Sequence, residues 1–133
     1  MVSPQQDIYN AVYDVCDKLS DKLGDKSGGV HEKAPPKGTL YPFIWLGQTE
    51  LLPDRNKSAI FANVIQTIRF YAKDTQRGTI SQLMFDVENA LRELKETDQS
   101  YIDMVRSNTT VLVEVDGNDN LYHGILKVEF KVY

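Results

Sequence analysis

The side chains able to do acid–base or nucleophilic chemistry are few: His31 and His123, the single cysteine Cys16, and carboxylates spread along the chain. A metal site wants His, Cys or carboxylates at close, regular spacing. The stretch VHEK offers His31 beside Glu32 and no second cluster. No serine sits in a nucleophile-elbow sequence. Gly28-Gly29 lacks the Lys-Ser/Thr that follows in a phosphate-cradling loop. Asp86 and Glu88 fall on the polar side of a helical segment, where solvated carboxylates are the rule. His123 stands among strand residues expected to be exposed. Cys16 reads as a small core hydrophobe on a helix rather than a nucleophile. With one cysteine no internal disulfide forms, as expected of synthesis in a reducing cytoplasm. No catalytic residue, metal or cofactor is expected, and the chain reads as a non-enzyme.

Contact chemistry is better represented. Residues 41–58, YPFIWLGQTELLPDRNKS, open with an apolar run and break into polar residues around a Leu51-Leu52 pair. Pro42 lacks a backbone donor, which argues against a fully paired central strand. Tyr41 and Phe43 then belong to an apolar edge. Leu51 and Leu52 either anchor a partner or tuck back onto their own core; full burial of each is worth roughly 1.5–3 kcal/mol. Arg55 and Lys57 read as a solvated turn or as a contact loop.

The elements that must position these residues follow from periodicity. Ser3-Pro4-Gln5-Gln6 is a helix start with a capping box. Ile8, Val12, Val15/Cys16, Leu19 and Leu23 form one stripe, and Gly24 ends the helix. Residues 24–39 carry glycine, proline and charge without period and read as a long loop. A short strand over 40–47 and a second loop over 48–58 follow. From Ala59 to Lys73 the chain alternates: Ile60, Ala62, Val64, Ile68 and Phe70 share one face, and Phe61, Asn63, Ile65, Thr67, Arg69 and Tyr71 the other. That second face mixes apolar and polar groups and implies cover by a partner or by the protein's own loops. A capping box at Thr79–Gln82 opens a second amphipathic helix ending near Glu96. Val111, Val113 and Val115, a turn at 116–120, and a strand with Gly124, Leu126, Val128, Phe130 and Val132 make a closing hairpin. The expected fold is α+β in one domain over 1–133: two helices on one face of a roughly four-stranded, mainly antiparallel sheet.

The bulk numbers agree with such a domain. The chain has 133 residues, 41% hydrophobic and 26% charged, which is ordinary for a globular protein. No run approaches the ~20 apolar residues of a membrane span, and the start MVSPQQD lacks signal-peptide regions. Net charge is −4 without a basic stripe, which argues against a dedicated nucleic-acid binder.

The order of elements carries a resemblance. An N-terminal amphipathic helix, a Gly/Pro-bearing loop, YPFIWLG, the long strand with IQTIRFYAKD, the helix ISQLMFDVENALREL and the closing strand HGILKVEFKVY follow one another. This resembles the tail terminator and tail-completion proteins of long-tailed bacteriophages, above all the small family in phages and prophages of Gram-positive bacteria. The resemblance implies a virion protein acting as a ring, commonly a hexamer. Such a ring binds the last ring of tail tube protein, halts polymerisation and presents a docking face to the head connector or stopper protein, while DNA passes through the bore without specific binding. A head-closure adaptor or minor capsid protein of the same neck region is the alternative, and a small enzyme or ligand-binding domain a distant third. The family transfers no point residues. From this sequence itself, the expected interface residues are Tyr41, Phe43, Leu51, Leu52, Arg55, Lys57, Phe61, Arg69 and Tyr71.

Overall fold

The computed structural model describes residues 2–53, 62–117 and 119–133, the side chains of Pro53 and Asp116 excepted. Helix α1 (Pro4–Asp21) is capped by Ser3, whose Oγ accepts from the Gln6 N–H at 3.1 Å. Gln6 turns its amide to Asn10 instead of back to the cap, so half of the expected capping box forms. The helix ends three residues before Gly24. That glycine, at φ 63°, opens a short 3₁₀ turn, Gly24–Lys26. Ile8, Val12 and Cys16 are fully buried along one stripe.

Inside the expected loop at 24–39 lies a two-residue strand, β1 (Val30–His31). Strand β2 (Phe43–Pro53) runs through residues 48–53, which alternation had left in a loop; the remainder of that loop lies outside the described residues. Strand β3 (Ala62–Lys73) leads through a 3₁₀ turn, Asp74–Gln76, into helix α2 (Arg77–Glu93). The Lys73 N–H donates to Gln76 Oε1 at 3.0 Å, so a capping box at Lys73–Gln76 fixes the entry, six residues before the one expected at Thr79. Strands β4 (Ile102–Asp116) and β5 (Asp119–Val132) close the chain. Strand β4 starts nine residues before Val111, because SNTT interrupts the apolar alternation there.

The sheet has five strands in the order β1-β2-β3-β5-β4. The β1–β2 pair is parallel and the others antiparallel. Both helices pack on one face. There Ile44, Leu46, Val64, Ile68, Phe70, Leu126, Val128 and Phe130 meet Ile8, Val12, Cys16, Ile80, Met84, Val87 and Leu91 in one buried cluster. Gly124 sits under α2, where an added Cβ would collide with the Met84 sulfur.

A polar device sits within this apolar layer. Gln66, fully buried on the helix side of β3, faces a bulge where two residues of β2 oppose one of β3, between Leu46 and Thr49. Its amide donates towards the carbonyls of Gly47 (3.3 Å), Gln48 (3.4 Å) and Thr67 (2.9 Å), and its Oε1 accepts from Thr49 Oγ1 at 2.6 Å. Gln5 from α1 donates to the Thr49 carbonyl at 3.2 Å. The bulge exchanges the parity of β2: Ile44 and Leu46 face the helices before it, and Thr49 and Leu51 after it. Replacing Gln66 by leucine keeps the volume but strands these partners. Urea unfolding of the Gln66→Leu variant is expected to show a loss of about 1–3 kcal/mol.

Candidate functional site: the helix-free face and the β4 border

The odd-numbered residues of β3 point away from the helices and build a row across the sheet. Phe43 of β2 pairs with Tyr71 of β3, and Tyr71 with His123 of β5. Their rings stack: Phe43 on Tyr71 with centroids 5.0 Å apart, and Tyr71 on His123 at 4.3 Å and 14°. Tyr41 leans on Phe43 at 5.2 Å, His31 meets it edge-on at 5.8 Å, and Trp45 lies 6.3 Å from Tyr71. Burial pushes the Tyr71 hydroxyl above its ordinary range, with Arg69 opposing.

His123 is 6% exposed, against the expectation of an open strand position. Its Nδ1 lies 2.8 Å from Glu114 Oε1 and its Nε2 lies 3.4 Å from Arg69 Nη1. The arrangement is a structural hydrogen-bonded chain, Arg69–His123–Glu114, under an aromatic cover. The sequence hid it because Glu114 reaches His123 from the next strand. Cys16 is buried and its thiol is pushed up to about 12, mainly by desolvation. It is therefore a protonated core group. Among the described residues no group of three His, Cys, Asp or Glu could hold a metal ion, and no helix is long and apolar enough to cross a membrane.

Of the expected interface residues, Tyr41, Phe43, Arg69 and Tyr71 come together on this face, with Phe43 only 7% exposed beneath its aromatic neighbours. Leu51 and Leu52 lie on β2, 41% exposed each. As successive strand residues they point to opposite faces, and so do not form a single anchor. Arg55, Lys57 and Phe61 lie outside the described residues.

A further exposed apolar stretch was not among those residues. Strand β4 is an outer strand, and along its last third Val111, Leu112, Val113 and Val115 are 41%, 45%, 60% and 74% exposed. By alternation the valines face the helix side and Leu112 the other. The flank of α2 above β4 adds Phe85, also exposed. That flank is fixed by Arg92, which donates to Ser107 Oγ at 3.3 Å, and by Arg77 over the Tyr122 ring at 5.4 Å. Patterning had marked Val111, Val113 and Val115 as a strand face but not as an uncovered one.

Residues 19–133 match the family model described as tail completion protein gp17. The chain belongs to that family. A tail completion protein is a structural component of the phage tail and virion, which agrees with a site built for contact. No curated protein matches the sequence. Among solved structures, a chain of the virion of a native gene transfer agent particle superposes with a TM-score of 0.56 at 14% identity, covering 98% of this chain and 92% of that one. A second structure gives a TM-score of 0.56 at 11% identity, covering 98% and 97%. At such identities the likeness is one of fold, and it spans nearly the whole length of this tail completion protein.

The hydrogen bonds around His123 fix its tautomer. A guanidinium only donates, so Nε2 accepts from Arg69 and the ring proton sits on Nδ1, donating to Glu114. Nitrogen-15 spectra at neutral pH are expected to show the Nδ1–H form. An Nε2–H form would show that Arg69 does not hold the ring.

Proposed function

We propose that this tail completion protein ends the tail tube as a ring of its own copies, six in number. The ring halts tube polymerisation and presents the tail-side docking surface to the head connector. The observation that carries this reading is the apolar border of β4. A 15-residue outer strand with exposed valines and a leucine is an aggregation hazard in a solitary domain. In a closed ring every copy covers the next one's border, and the hazard becomes an interface.

The remaining surface fits the same role. Tyr41, Arg69 and Tyr71 on the helix-free face, packed around the buried Phe43, with Leu51 and Leu52 near the end of β2, are assigned to contacts with copies, tube or connector. Arg55, Lys57 and Phe61 extend that assignment into 54–61. Net charge of −4 without a basic stripe suits a bore through which DNA slides, because each phosphate contact would add affinity and salt dependence.

Tails assembled without this protein decide between the roles. Overlong tubes are the expected result, whereas tails of correct length that fail to join heads would make it an adaptor instead. The paired change Leu112→Ser and Val113→Ser should leave the fold stable within about 0.5 kcal/mol by circular dichroism. It should also abolish co-sedimentation with tails. Unchanged capping by that variant would remove the β4 border from the interface.

A further inference from the structure

The sheet has two borders, and they differ in kind. At the start of β4 the Ile102 N–H donates to the Lys95 carbonyl at 2.9 Å. From Met104 onward no strand lies outside β4 among the described residues. On the opposite side, β1 covers β2 only at Ile44 and Trp45. Residues 46–53 of β2 have no strand outside them among the described residues, although Gln5 reaches the Thr49 carbonyl.

We infer that these two borders complete each other: the free edge of β4 in one copy pairs antiparallel with residues 46–51 of β2 in the next. The inference deepens the ring reading above and rests on it. Strand direction supports it first. From β2 through β3 and β5 to β4, every neighbour is antiparallel, so β2 of a following copy continues the alternation. The sheet would then pass from copy to copy without a break.

Charge and facing support it second. Glu50 pairs with Ile65, Ile65 with Glu129, and Glu129 with Arg106. These four residues form one row on the helix-free face. Extending that row sets the next copy's Glu50 beside Arg106, opposite in sign, where cross-strand pairs of this kind stabilise a sheet. Both side chains are exposed in the single copy. The neighbouring rows set Leu51 beside Met104 and Thr49 beside Ser107 on the helix side. At Leu46 the neighbour's β1 begins and pairing stops. The row of Phe43, Tyr71, His123 and Leu112 then brings the apolar end of β4 level with the neighbour's β1.

Cysteine pairing tests this directly, because the chain's own Cys16 is fully buried. The variant Glu50→Cys/Arg106→Cys is assembled on tails and mildly oxidised. Opposed strand residues lie within disulfide reach. A disulfide ladder up to the full ring on non-reducing gels is expected, absent from each single variant. Ring closure imposes shear on a sheet, so Glu50→Cys with Asn108→Cys samples the register two residues along. A ladder from either pair supports the joined borders. Capped tails with no ladder from either pair overturn the pairing and leave the ring reading standing. A dimer from Arg106→Cys alone would mean that β4 meets β4, and would overturn the pairing too. If the unaltered protein caps no tails, the ring reading fails and the pairing with it. As a second measure, Glu50→Arg and Arg106→Glu should each weaken capping at least tenfold, and their combination should restore it. Failure of that rescue counts against the Glu50–Arg106 row.

Discussion

The packing of two helices on one face sets what the rest of this sheet can bury. Helices α1 and α2, each about 10–12 Å across, lie side by side on a sheet whose full-length strands are spaced by about 4.8 Å. The helices settle over β2, β3 and β5, where the buried cluster lies. Strand β4 is buried only at its start, through Ile102. Beyond Ile102, the Val111, Val113 and Val115 side chains on the helix side of β4 stay exposed.

The uncovered side of the sheet is stabilised differently. With no helix above it among the described residues, Phe43, Tyr71 and His123 lie against one another across three strands and shield each other's faces. Aromatic pairs of this kind gain about 0.5–1.5 kcal/mol beyond their area burial. Arg69 and Glu114 satisfy the imidazole at the end of the row.

Much of the fold was legible because its signals are local. The stripe Ile8, Val12, Cys16 and the alternation through β3 state their faces outright. Strand β2 was truncated because Gly47 and Gln48 break its alternation, and the bulge that explains the break depends on Gln66, 18 residues away from Gln48. Strand β1 was missed because two residues have no period. The start of β4 was missed because Ser107, Asn108, Thr109 and Thr110 are polar and interrupt the alternation of an outer strand. The site divided along the same line. Arg69 and Tyr71 follow from parity, whereas the apolar edge expected at Tyr41 and Phe43 is covered by β1 at Ile44 and Trp45. The burial of His123 and the exposure of Leu112 depend on which strand lies alongside and how far a helix extends, and neither is written in spacing.

The smallest strand has a role out of proportion to its length. Because Val30 and His31 already occupy the flank of β2 at Ile44 and Trp45, any strand zipping along that flank from the Pro53 end runs into a doorstop. In the proposed ring, where it halts would fix how far one protomer slides past another, and so the turn taken at each joint. The angular step of a closed assembly would then be set by a two-residue gauge.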